Sequence, residues 1–120
     1  GAQAAPLMET DSEKLMLEGC RLAGRTWSRT REVLGWNNEN VNRVFCHQVG
    51  KGHRNLMYEN VGLDIEKDFS TLEFLGNTGS ASLPVTLAMG VEKGVLAKGD
   101  KAALLGIGSG LNCLMMGVEW

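Results

Sequence analysis

Met16, Cys20, Ala23, Trp27 and Leu34, with Thr30 or Arg31 in the turn between, recur at three- and four-residue steps, while Arg21, Arg25, Arg29 and Glu32 fall mostly outside that stripe. The period predicts a long amphipathic helix lying on a sheet face. Thr10-Asp11-Ser12-Glu13 matches a capping box, so the helix is expected to begin near Asp11, and Gly35 is placed to close it. The polar Asn37-Asn38-Glu39-Asn40 reads as a connection. Residues 41–46, rich in β-branched and aromatic side chains, predict a buried strand. Gly50 and Gly52 then loosen the chain before a helix over about 53–60, which Gly62 ends. A further strand is expected over 71–75. Ser80 or Ser82 is placed to cap the next helix, which tolerates Pro84 in its first turn and reaches Lys93-Gly94. Gly99-Asp100 makes a turn, and 101–107 and 112–120 are the last two strands, joined by a turn too short for a crossover helix and therefore antiparallel.

The order α-β-α-β-α-β-β implies a layered α/β domain with a mostly parallel sheet, an antiparallel C-terminal strand and covering helices. At 120 residues the chain is read as one domain, 1–120. A net charge of −2 and a pI near 5.7, with basic residues scattered among acids, leave no electrostatic footprint for nucleic acid. The three cysteines, Cys20, Cys46 and Cys113, are odd in number and fit no CxxC spacing, which speaks against a disulfide framework or zinc site and suits a reducing cytoplasm. The uncharged run 102–118 is shorter than the ~20 residues of a spanning helix. It also holds four glycines and Asn112, and reads as buried sheet rather than a membrane span. No basic stretch followed by an apolar core opens the chain, and Gly1 in place of a start methionine predicts a processed or engineered start, with the natural N-terminus missing.

Three stretches carry candidate chemistry, each at the end of a predicted strand, where an open α/β sheet presents its ligand-facing groups. Val44-Phe45-Cys46-His47-Gln48 ends on a histidine. Leu75-Gly76-Asn77-Thr78-Gly79-Ser80-Ala81-Ser82-Leu83-Pro84 holds an asparagine, and Gly106-Ile107-Gly108-Ser109-Gly110 is a glycine-rich turn. A neutral imidazole and a carboxamide are donors suited to negative charge developing on a thioester oxygen, and neither adds a net charge that would hold ground-state substrate too firmly. A lone strand-end histidine more often bonds a core carbonyl, and a lone asparagine is more often a turn residue; only the joint pattern points to catalysis. The glycine-rich turn lacks the third glycine of a dinucleotide fingerprint, since Leu111 stands there. Cys46 adjoins His47 in sequence, but successive strand residues face opposite ways, which places Cys46 in the core. Lys51, His53 and Arg54 form a small basic cluster that either meets a coenzyme A phosphate or an acidic carrier protein, or is a solvated helix start. No ligand spacing for a metal is present.

Taken together, the His-Gln motif, the Gly-Asn-Thr motif with its following serine and proline, Gly99-Asp100 and the glycine-rich turn resemble the C-terminal half of a thiolase-superfamily condensing enzyme of the 3-oxoacyl-(acyl carrier protein) synthase III type, over roughly 44–120. The resemblance implies a thiolase-like half-fold in which His47 and Asn77 form the catalytic site with a cysteine of an N-terminal half absent from this chain. It implies that Gly108 and Gly110 bring backbone N–H groups beside the acyl thioester; Lys51 and Arg54, taken from the basic cluster itself, are the candidate coenzyme A or carrier contacts, since the chain departs from the family pattern just after His47-Gln48. Acyl-CoA or acyl carrier protein thioesters are then the substrates, with no metal or redox cofactor, in a cytoplasmic homodimer. His47-Gln48-Val49-Gly50 and the Leu-Gly-Asn-Thr-Gly-Ser wording lean toward the olefin-forming, head-to-head acyl-CoA condensing kind rather than the malonyl-decarboxylating kind. The chain opens on a helix where that half-fold opens on a strand, so it is expected to be a C-terminal fragment, inactive alone. The alternative is a non-catalytic fragment or subunit that packs against a partner carrying the cysteine.

Overall fold

The computed structural model describes residues 11–108 and 110–120. Helix α1 (Ser12–Leu34) starts on Asp11, whose carboxylate accepts the Lys14 N–H at 3.0 Å, and ends on Gly35, whose N–H reaches the Glu32 carbonyl. Asp11 itself is therefore the N-cap, and the part expected of Thr10 lies outside the described residues. Strand β1 (Arg43–Cys46) is followed by α2 (Lys51–Val61), closed by Gly62, then by the one-turn helix α3 (Leu72–Leu75) and by α4 (Ser82–Glu92). Strands β2 (Lys101–Gly108) and β3 (Asn112–Glu119) complete the sheet.

The sheet order is β1-β2-β3, with β1 parallel to β2 and β3 antiparallel to it, so the expected antiparallel last strand and the covering helices are both present. One element differs. Residues 71–75 form the turn of helix α3 instead of a strand, and the extended backbone lies just before it: Asp68 bridges Val44, and the Phe69 N–H donates to the Val44 carbonyl at 3.0 Å. Among the described residues the sheet is accordingly three-stranded and mixed. Ser82 also departs from its expected capping role: it sits inside α4, and its buried hydroxyl accepts the Thr78 N–H at 2.9 Å.

Alternation along the strands sorts the core into two layers. Val44, Cys46, Ala103, Leu105 and Met115 pack with Cys20, Ala23 and Trp27 of α1 and Met57, Tyr58 and Val61 of α2. Phe45 and Ala102 face the other way, against Leu83 and Leu87 of α4, with Phe69, Val95, Leu96 and Leu104 around them. Each such large apolar side chain contributes about 1.5–3 kcal/mol on burial. Helices α1 and α2 approach closely at Gly24, where a Cβ would stand 2.7 Å from the Asn60 carbonyl oxygen. On the opposite side, α4 is apolar nearly all round, yet Pro84, Val85, Ala88 and Val91 are exposed, as are Phe74 and Leu75 beside it. A helix apolar on every side is normally covered on every side. Among the described residues no helix is long and apolar enough to cross a membrane.

Candidate active site

Because β1 and β2 run parallel while α1 runs back over them, the carboxyl ends of both strands, the start of α1 and the loop before α4 meet at one end of the sheet. There the His47 N–H donates to the Leu105 carbonyl at 2.9 Å, extending the ladder one step past β1 and fixing the origin of the imidazole. Asn77 is set by Gly76, which closes α3 through its N–H on the Leu72 carbonyl and holds φ 62°, ψ −146°, a conformation that only glycine adopts readily. The Asn77 carboxamide oxygen accepts the Gly79 N–H at 2.9 Å. Its Nδ2 group is the end left to donate outward, and it has no protein acceptor among the described residues.

His47 and Asn77 line one cleft of about 430 Å3 together with Gly108, His53, Val49 and Ile107, under the first turns of α1 at Ser12, Leu15 and Met16. The expected pair is therefore brought together, with Gly108 on the same wall. Gly110 is not on that wall; it holds φ 118° in the β2–β3 turn and shapes the hairpin. A larger open groove of about 740 Å3 between α1 and β3 contains none of the expected site residues, and the hydroxyls of its two threonines, Thr26 and Thr30, donate to the Leu22 and Thr26 carbonyls of α1.

Burial holds the His47 imidazole below its ordinary value of 6.5. It does the same to His53, where the nearby His47 adds to the effect. Both rings are therefore neutral donors near neutral pH. The linkage has a sign. For imidazoles whose pKa is depressed by folding, stability is present above 6.5 and is lost as pH falls toward the folded value, because the unfolded chain takes up the proton first. The unfolding midpoint is expected to fall between about pH 7 and about pH 5, and to fall less in the His47→Gln/His53→Gln variant; equal pH dependence in the two proteins would show that the cleft does not hold these rings neutral.

Of the two expected coenzyme A or carrier contacts, Lys51 is exposed at the start of α2, with Glu73 loosely paired at 3.7 Å, an interaction worth little in solvent. Arg54 is committed elsewhere. Its Nε donates to Asp68 Oδ2 at 2.7 Å, and Tyr58 donates to Asp68 Oδ1 at 2.5 Å, so the cation balances a carboxylate whose side chain is 2% exposed. The cysteines stand apart from the cleft. Cys20 and Cys46 are in the core beneath α1, Cys113 is half-buried on β3, and burial pushes all three thiols up, away from the thiolate a nucleophile needs.

Sequence reasoning missed the polar cluster behind the two donors: buried Gln48, Thr71 and Thr86, bonded to one another. A glutamine directly after a buried strand was the available signal, since such a side chain stays inside only when its amide is bonded.

At this end of the sheet, then, a histidine just past a parallel strand stands beside an asparagine carried on a glycine-closed loop. The family described as 3-oxoacyl-[acyl-carrier-protein (ACP)] synthase III C terminal matches residues 32–120, and the chain belongs to it. An acyl-CoA:acyl-CoA alkyltransferase of Shewanella oneidensis is 45% identical over 94% of this chain, and covers 32% of its own length in doing so. A β-ketoacyl-[acyl-carrier-protein] synthase III of Clostridium tetani is 33% identical over 68% of this chain and 25% of its own length. The crystal structure of cerulenin-bound OleA from Xanthomonas campestris superposes with a TM-score of 0.87 at 42% identity, over 92% of this chain and 32% of that one. The chain thus spans about a third of the length of the alkyltransferase and of the OleA chain that it matches.

Proposed function

We propose that this chain is the donor-supplying C-terminal part of an enzyme that joins two acyl thioesters by Claisen condensation, through a ping-pong route. A cysteine outside the chain takes the first acyl group with release of its thiol carrier. The second thioester gives up an α-proton, and its enolate attacks the acyl-enzyme carbonyl; the carbon–carbon bond forms, the thioester bond to the cysteine breaks, and the leaving thiolate takes up a proton in turn. His47 and the outward Nδ2 group of Asn77 donate to the oxygen on which enolate charge develops. The observation that carries this reading is the cleft itself: two neutral donors share it, at least one with no acceptor among the described residues, while the chain's own thiols lie outside it.

The rest of the protein supplies the cysteine and covers the exposed apolar side of α4, which no described element of this chain reaches. Head-to-head condensation of two acyl-CoA molecules is the favoured form, since the relatives named acyl-CoA:acyl-CoA alkyltransferase are 45% and 42% identical against 33% for the synthase III relative. Supplying the full-length protein with a long-chain acyl-CoA as sole substrate tests this. A 2-alkyl-3-oxoacyl thioester with one coenzyme A released per turnover is expected. Product formed only with a malonyl thioester, with release of carbon dioxide, would replace this form by the decarboxylating one, and no product from either would remove the condensing reading.

A further inference from the structure

His47 and Asn77 come from separate stretches of chain, and no hydrogen bond links their side chains. One residue spans the gap. Gln48, next to His47 in sequence and 6% exposed, crosses from the end of β1 to the loop before α4. Its Oε1 accepts the Thr71 N–H at 2.7 Å and the Ser70 hydroxyl at 3.1 Å, while its Nε2 donates to the Gly76 carbonyl at 3.1 Å. The orientation of the amide is fixed by its partners, because a backbone N–H only donates and a carbonyl only accepts. Nε2 also lies 3.0 Å from Thr71 Oγ1, which is bonded in turn to Thr86 Oγ1 of α4 at 2.7 Å.

The geometry points to Gln48 as the positioning residue for Asn77. This inference rests on the condensing role proposed above and adds to it the means by which the two donors keep their spacing. The Gly76 peptide leads directly into Asn77, and its carbonyl is gripped by a side chain whose own backbone adjoins His47. Gly76 is itself in an uncommon conformation that the surroundings must hold. Releasing its carbonyl frees the peptide to rotate, and with it the direction in which Nδ2 of Asn77 points. Gln48 touches no reacting atom in this account. It acts through Asn77 alone, so its effect must vanish when Asn77 is gone.

That requirement supplies the test, made in the full-length protein. Gln48→Met keeps the length of the side chain and removes both amide functions; it is expected to lower the condensation rate constant by roughly tenfold to a hundredfold, the range over which a misplacement of about 1 Å acts, with acylation of the cysteine changed less than about threefold. In an Asn77→Ala background the same substitution is expected to add less than about threefold, a non-additivity that a general loss of stability would not produce. Thr86→Val, which breaks the link to α4 but leaves the Gly76 contact, is expected to lower the melting temperature without altering the ratio of condensation to acylation. Where Gln48→Met does not fold, Gln48→Glu serves, since it keeps an acceptor for the Thr71 N–H and presents an oxygen in place of the donor to Gly76. Additive losses, equal losses in acylation and condensation, or an unchanged condensation rate would each overturn the positioning role. If Asn77→Ala alone leaves condensation intact, the site reading falls and this inference with it; if Asn77→Ala slows condensation and the Gln48 variants do not, only this inference falls.

Discussion

His47→Ala and Asn77→Ala, each made in the full-length protein, are expected to slow condensation by about a hundredfold or more while leaving acylation of the cysteine much less affected. The asymmetry follows from where the charge appears. A donor aimed at the enolate oxygen of the second thioester has nothing to stabilise while the cysteine is taking up the first acyl group. Neither substitution removes a buried anchor: Asn77 is exposed, and the bonds that fix His47 are made by its backbone. Loss of folding is therefore not the expected cause, and an unchanged melting temperature should accompany the slow rate. Rapid-quench measurement of the two half-reactions decides it. If acylation slows as much as condensation, the two residues are not enolate donors.

The largest effect on stability is expected at Trp27. It is completely buried between α1 and the sheet, and its Nε1 donates to the Asn38 side-chain oxygen at 2.9 Å. The same Asn38 donates from Nδ2 to the carbonyls of Val61 and Gly62, so one asparagine ties the middle of α1 to the end of α2. Trp27→Ala opens a cavity and strands an acceptor; it is expected to cost about 3–5 kcal/mol. Trp27→Phe retains much of the volume but still leaves the Asn38 oxygen unpartnered, at a cost of about 1–3 kcal/mol. Denaturant unfolding followed by circular dichroism separates the two. A loss below about 1 kcal/mol for Trp27→Ala would mean that α1 is anchored by other residues.

Elements whose pattern is local were legible in the sequence. The apolar stripe of α1, the glycines that close α1 and α2, and the β2–β3 pair all stand within a residue or two of their expected places. The strand expected over 71–75 failed because Thr71, Phe74 and Leu75 favour extended backbone only as isolated residues. Thr71 is buried to bond Gln48 and Thr86, whereas Phe74 and Leu75 are exposed, so the segment turns where a strand would have run straight. That network joins residues far apart in sequence, and no periodicity reports it. The site was legible in its donors, which are motif residues, and not in what holds them. Arg54 illustrates the same limit: as a sequence it is one of three basic residues, and only the fold shows that a buried carboxylate claims it.

The conformation of Gly76 has a consequence for chirality. Its φ 62°, ψ −146° is close to the mirror image of the extended left-handed helix that ordinary residues adopt with ease. Nothing lies within 4 Å of the place an added Cβ would take. The position is therefore closed to L-amino acids by handedness and not by crowding, so alanine and a bulkier residue meet the same backbone barrier there. At Gly117 the case is reversed: an added Cβ would overlap the Leu34 side chain and the Trp36 ring, and volume alone decides. The loop that aims Asn77 thus depends on the single achiral residue of the genetic code.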